Sequence, residues 1–167
     1  MKILNLADEG SGTFGDETVH TDIRFKLKKF PDGQTDIVIE PEDVKAQYLT
    51  TEPSVRIPLQ VQITSHFNSW EDMVKIICAR VALKNLGVDE IHLFIPYILG
   101  ARSDRRFEKG GTSYLVDVVA PIINLQNFKT VTCIDAHSEV AQSCIQRLDV
   151  ISNLELVKQA IEDICNL

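Results

Sequence analysis

The stretch "VQITSHFNSWEDMVKIICARVALKNLGVDEIHLFIPY", residues 61–97, decides the fold. It opens inside an alternating run, Val55, Ile57, Leu59, Val61 and Ile63, which predicts a strand with one wet face. Pro58 cannot donate to a ladder, so this strand either lies at a sheet edge or starts late. Ser69 then offers an N-cap oxygen, Glu71 and Asp72 fall in the first turn, and Gly87 closes the segment. Between them Trp70, Met73, Val74, Ile77, Val81 and Leu86 recur near helical spacing, which predicts an amphipathic helix with these residues on its apolar face. "EIHLFIPY" (90–97) follows with almost no polar interruption, as expected of a strand covered on both faces. Strand, helix and strand in this order form a right-handed crossover between parallel strands.

The pattern repeats downstream. "TSYLVDVVAPIINLQNF" (112–128) reads as a helix kinked or interrupted at Pro121, "KTVTCIDA" (129–136) as a buried strand, and "SEVAQSCIQRL" (138–148) as a helix capped by Ser138. "NLELVKQAIEDICNL" closes the sequence as a last helix. Upstream, "KILNLA" is a short strand, and residues 8–22, rich in Gly, Asp and Thr, read as a loop. "RFKLKKF" and "QTDIVIE" both alternate, and the turn signal Pro31–Gly33 between them predicts a β-hairpin. The expected class is α/β: a parallel sheet flanked by helices, with a protruding hairpin.

Length and composition agree. At 167 residues, 44% hydrophobic and 25% charged, the chain suits one soluble domain with a proper core. No apolar run approaches the roughly 20 residues of a membrane helix. "MKILNLADEG" turns acidic too early for a signal peptide, so a cytoplasmic protein without membrane or nucleic-acid partners is expected; the net charge of −7 opposes phosphate backbones. Cys78, Cys133, Cys144 and Cys165 show no CxxC spacing, which argues against zinc; Cys78 and Cys133 read as small buried hydrophobes.

Against this acidic background, basic residues gather at Lys26–Lys29 and at Arg102–Lys109, the latter directly after a core strand. Ligands of open parallel sheets bind outside the carboxyl ends of the strands. Arg102, Asp104, Arg105 and Arg106 follow one such strand, and Asp135 and His137 follow the next. Guanidinium groups on one side with an imidazole and a carboxylate on the other suit a phosphate with a divalent metal. Each signal has an alternative: a solvated basic loop for Arg102–Arg106, helix capping for Asp135, and a capping or surface role for His137.

Three segments, "KKFPDGQTDIVIE", "LFIPYILGARSDRR" and "VTCIDAHSEV", together resemble ordered motifs of the ribose-phosphate pyrophosphokinases (phosphoribosyl pyrophosphate synthetases), over about residues 24–155. The resemblance implies the phosphoribosyltransferase-like N-terminal domain of that family over 1–150, with 151–167 as a helix leading toward a second domain. It implies transfer of the β,γ-pyrophosphoryl group of Mg-ATP to ribose 5-phosphate, in a homo-oligomer. By match to the motifs, Phe30 would stack on adenine, Asp32, Gly33 and Gln34 would contact the nucleotide, and Arg102 and Ser103 would stand at the ATP-binding Arg-Gln pair. Asp135 and His137 would serve magnesium, and Arg102 and His137 would be the catalytic pair.

There are departures. Gln34 replaces an acidic residue, Ser103 a glutamine, and Gly100 an aromatic; the family's first helix has no counterpart before "RFKLKKF". The family's second domain and mobile basic loop lie downstream of the matched region, so the chain alone is expected to bind nucleotide without turnover. The alternative is a non-catalytic, synthetase-like regulatory or oligomerisation subunit. A generic dinucleotide binder is disfavoured because no GxGxxG follows the first strand.

Overall fold

The computed structural model describes residues 1–7, 21–44 and 58–165. Five parallel strands form one sheet in the order β1 (Lys2–Asn5), β4 (Gln60–Thr64), β5 (Glu90–Phe94), β6 (Val131–Ile134) and β7 (Leu148–Ile151). A separate two-stranded sheet pairs β2 (Phe25–Lys29) with β3 (Thr35–Ile39), antiparallel, around the expected turn. The fold is therefore the expected α/β architecture. Pro58 resolves as a late start, since β4 begins at Gln60 and lies between β1 and β5 rather than at an edge. Val55 and Ile57, and nearly all of the predicted loop at 8–22, lie outside the described residues.

The helices are α1 (Pro41–Val44), α2 (Trp70–Asn85), α3 (Ala120–Leu125), α4 (Glu139–Cys144) and α5 (Leu154–Cys165). α2 starts as its sequence requires: the Ser69 side chain accepts from the Asp72 N–H while the Asp72 carboxylate accepts from the Ser69 N–H, a reciprocal capping box. Its buried face differs from the expected one. Met73, Ile76, Ala79 and Leu83 are buried, whereas Trp70, Val74, Val81 and Leu86 are substantially exposed. Both faces of α2 carry aliphatics, so residue spacing alone did not identify the one that meets the sheet.

Two further helices differ from expectation. The helix expected over 112–128 opens as a π-helical turn, Leu115–Val119, before α3, with Pro121 in the first turn of α3 where its missing N–H costs little. The helix expected over 138–148 stops at Cys144, because the chain becomes extended at Ile145 and enters β7, a strand not anticipated. Ser138 stands at the N-cap, but its side chain makes no capping bond, and its Oγ is buried without a partner.

The core joins Leu4, Val61, Ile63, Leu93, Ile95, Val131 and Cys133 of the sheet to Met73, Ile76 and Leu83 of α2 and to Leu115, Val119 and Ile123 of the following helical segment. All four cysteines are free; Cys133 is buried and Cys78 half-buried. Among the described residues no helix is long and apolar enough to cross a membrane.

Candidate functional site

The carboxyl ends of β5 and β6, which are parallel neighbours, border a hollow of about 370 Å³. Its walls include Arg102 from the segment after β5 and Asp135 and His137 from the segment after β6, with Tyr97, Ala101 and Cys133 among the rest. Of the six residues singled out at the two strand ends, Arg102, Asp135 and His137 thus border one cavity, whereas Asp104, Arg105 and Arg106 do not line it. The strands do the positioning: Ile134 N–H donates to the Pro96 carbonyl at 3.2 Å, so the two exits leave the sheet side by side.

After Tyr97 the chain makes two tight turns. Ala101 N–H donates to Ile98 O (3.1 Å) and Ser103 N–H to Gly100 O (2.8 Å). Gly100 has φ +79°, and a Cβ there would lie 2.6 Å from Cδ1 of Tyr114. Tyr114 stacks edge-on against Trp70, whose indole N–H donates to the tyrosine hydroxyl. The ring of Tyr114 therefore occupies the space a side chain at position 100 would need, which gives the glycine departure noted above a steric reason.

The loop beyond Arg102 is stitched to the π-helical turn. The Ser103 carbonyl accepts from Leu115 N–H (3.0 Å) and Ser113 Oγ (3.5 Å), and Asp117 accepts from Ser113 N–H (2.8 Å). Arg106 sits 3.8 Å from Asp117, and Arg105 lies over the Phe107 ring at 5.6 Å. Arg105 and Arg106 are thereby engaged within the loop, while no described side chain pairs with Arg102, which faces the hollow. Ser103 contributes backbone to the turn and is not among the lining residues.

Asp135 adopts a left-handed backbone conformation, φ 49°, which aspartate tolerates better than most residues. Its N–H donates to the Ile151 carbonyl (2.9 Å), and its Oδ2 accepts from Asn153 Nδ2 (2.8 Å). Asp135 is thus held by the β7–α5 junction and does not serve as a simple helix cap. His137 is exposed at the rim. Beneath them, burial pushes the Cys133 thiol up, with the Asp149 and Asp135 carboxylates adding to the effect, so it remains a neutral thiol at neutral pH.

The hairpin residues stand apart. Phe30 N–H donates to Gln34 O and Gly33 N–H to Phe30 O, both at 2.9 Å, with Gly33 at φ +86°. The Asp32 carboxylate accepts from Gln34 N–H (3.1 Å), so it is part of the turn. The Phe30 ring is 43% exposed, and none of Phe30, Asp32, Gly33 and Gln34 lines the hollow. β3 packs on α2, where Thr35 O accepts from Cys78 Sγ (3.7 Å), and Lys29 pairs with Glu71 (2.9 Å).

A metal can be tested against this donor set. Among the described residues no three His, Cys, Asp or Glu side chains form a cage. A cation held by Asp135 and His137 would therefore have to draw most of its ligands from phosphates and water, the coordination habit of magnesium. Tyr97, Ala101, Cys133 and Asn153 were not named from the sequence as site residues. The first three are ordinary core or wall residues by type, and Asn153 reaches Asp135 only through the fold.

Fold and site together define a parallel α/β domain with a hollow lined by Arg102, Asp135 and His137 at the carboxyl ends of β5 and β6, and a separate hairpin. A solved structure of the same architecture is phosphoribosylpyrophosphate synthetase from Mycobacterium smegmatis, at a TM-score of 0.66 and 15% sequence identity. The likeness covers 84% of this chain and 43% of that one, so this chain corresponds to less than half of that protein's length. At this identity the likeness is one of fold. No protein-family model and no curated protein matches the sequence.

Proposed function

We propose that this chain is the nucleotide-phosphate-binding half of a ribose-phosphate diphosphokinase, a transferase of nucleotide biosynthesis that moves pyrophosphate from Mg-ATP to ribose 5-phosphate and leaves AMP. The observation that carries this reading is the convergence of Arg102, Asp135 and His137 on one hollow at the carboxyl ends of β5 and β6. In this reading residues 1–150 form the N-terminal domain, 151–167 lead toward a second one, and the protein works in the cytoplasm.

Phosphoryl-type transfer depends mainly on positioning and charge neutralisation. Arg102 presents a rigid guanidinium fork toward phosphate oxygens. Asp135 and His137 would hold a magnesium ion, which when bound neutralises charge on the polyphosphate. The hollow's backbone is fixed before ligand arrives, by the Gly100 turn on one side and the β7 junction on the other. The hairpin residues Phe30, Asp32, Gly33 and Gln34, none of which lines this hollow, would act on a neighbouring copy's nucleotide.

A second reading is a non-catalytic, synthetase-like subunit. It is favoured by Ser103, which stands where the resemblance calls for a nucleotide-contacting glutamine and contributes only backbone bonds to the turn. Calorimetry with Mg-ATP on the protein and on Arg102→Ala and His137→Ala tests the site: equal binding by all three rejects it. AMP release from ATP and ribose 5-phosphate by the chain alone would reject the non-catalytic reading, whereas its absence fits both. Turnover would overturn the expectation that the rest of the active centre comes from elsewhere.

A further inference from the structure

We propose that Asn153 is a positioning residue for Asp135, presenting its carboxylate to a phosphate-bound divalent cation; this rests on the reading of Asp135 as a magnesium-serving group. Asn153 lies 18 residues beyond Asp135 and outside the lining of the hollow. Its Nδ2 donates to Asp135 Oδ2 at 2.8 Å. An ionised carboxylate is acceptor-only, so the amide must turn its nitrogen toward it, which fixes the asparagine's orientation.

The same short segment grips Asp135 twice. The carbonyl of Ile151, at the end of β7, holds the Asp135 N–H at 2.9 Å, and two residues later Asn153 holds the side chain. The backbone bond stabilises a left-handed conformation, and the side-chain bond sets the carboxylate's rotation. Asn153 is itself fixed at the start of α5. Its carbonyl accepts from Val157 N–H (3.0 Å), and the neighbouring Ser152 Oγ accepts from Leu154 N–H (3.1 Å).

The chemistry of the donor matters. A lysine or arginine in this place would orient the carboxylate but also neutralise it. An amide orients it while leaving the full negative charge for a cation. With Oδ2 already accepting from Asn153, Oδ1 would be the less encumbered oxygen toward a cation. Groups that orient metal-binding carboxylates typically contribute about 10–100-fold to metal affinity.

The test compares binding of Mg-ATP with binding of ATP in excess EDTA, by calorimetry, for the full chain and for Asn153→Ala, Asn153→Ser and Asp135→Asn. Serine is a competent helix N-cap but too short to reach Asp135, so Asn153→Ser keeps the helix start and loses only the bond to the carboxylate. The expected result is a roughly 10–100-fold loss of Mg-ATP affinity in both Asn153 variants, with metal-free ATP binding and the thermal midpoint of Asn153→Ser unchanged. Equal losses for Mg-ATP and metal-free ATP mean a merely structural role and overturn the proposal. So does wild-type Mg-ATP affinity in Asn153→Ser when Asp135→Asn is weakened, and that outcome spares the magnesium role of Asp135. Wild-type affinity in Asp135→Asn removes the magnesium role itself, and the positioning role with it.

Discussion

The two ends of the parallel sheet differ in the charge they leave unpaired. At the amino ends of the strands several polar and charged groups are paired within the fold. Glu90 pairs with Lys129 at 2.8 Å and accepts from Gln60 at 2.8 Å, Asp89 accepts from Leu59 N–H at 2.9 Å, and His92 meets Thr130 Oγ1 at 2.7 Å. At the carboxyl ends Arg102 and His137 face a hollow with no described side chain to pair with. Although Arg105, Arg106 and Asp135 are engaged at the carboxyl ends as well, Arg102 and His137 are the groups there that the proposed ligand would complete.

That contrast can be broken most severely at Gly100. Gly100→Ala places a Cβ against Tyr114 in a left-handed backbone and should cost on the order of 2–3 kcal/mol in stability. It should also lower Mg-ATP affinity by moving Arg102; thermal unfolding and calorimetry on the same variant check both. Next is Arg102→Ala, expected to lose about 10–100-fold in Mg-ATP affinity, the scale of one hydrogen-bonded charge contact, with an unchanged thermal midpoint. A drop in stability instead would mean that Arg102 belongs with the charges paired within the fold.

A smaller effect concerns a paired charge away from the hollow. Hydrogen bonds from Arg24, first from its side chain and then from its backbone, hold the Asp43 carboxyl below its ordinary 3.8, at about 2. A depressed folded-state value means the pair stabilises the protein above the ordinary value and loses that contribution as pH falls from about 3.8 to about 2. Acid unfolding of Arg24→Ala should therefore begin at higher pH than in the parent, whereas equal curves would show the pair to be inert. The smallest effect is expected at Lys129→Ala. The Lys129 hydrogen bond lowers the Glu90 carboxyl, so its loss should weaken the fold slightly near and above the ordinary carboxylate range and leave Mg-ATP binding untouched. A change in nucleotide affinity there would undo the division of the sheet into two ends.

The sequence was most legible where chemistry and periodicity coincide. Ser69 with Asp72, the turn at Pro31–Gly33, and charge directly after a buried strand each have a local cause, and each stands in the structure as read. β7 was missed because Leu148–Ile151 is four residues long, alternates only once, and follows a helical pattern without a break. The apolar face of α2 was misassigned because Val74 and Val81 repeat at helical spacing on the side away from the core. Of the residues that line the hollow, Arg102, Asp135 and His137 could be named from strand ends alone, but so could Asp104, Arg105 and Arg106, which do not line it. Asn153 could not, because its role depends on β7 lying beside β6, and neither that strand nor its register was visible beforehand.

One consequence follows from the closure at Ser103. Because its carbonyl binds both Leu115 N–H and the Ser113 hydroxyl, the chain from 104 to 112 leaves and returns at almost the same point. Lengthening such an excursion costs little, since closure entropy grows only slowly with loop length. This segment is therefore the natural place to graft a tag, a fluorophore or a longer peptide close to the hollow, with Arg102 still anchored by the turn that precedes it.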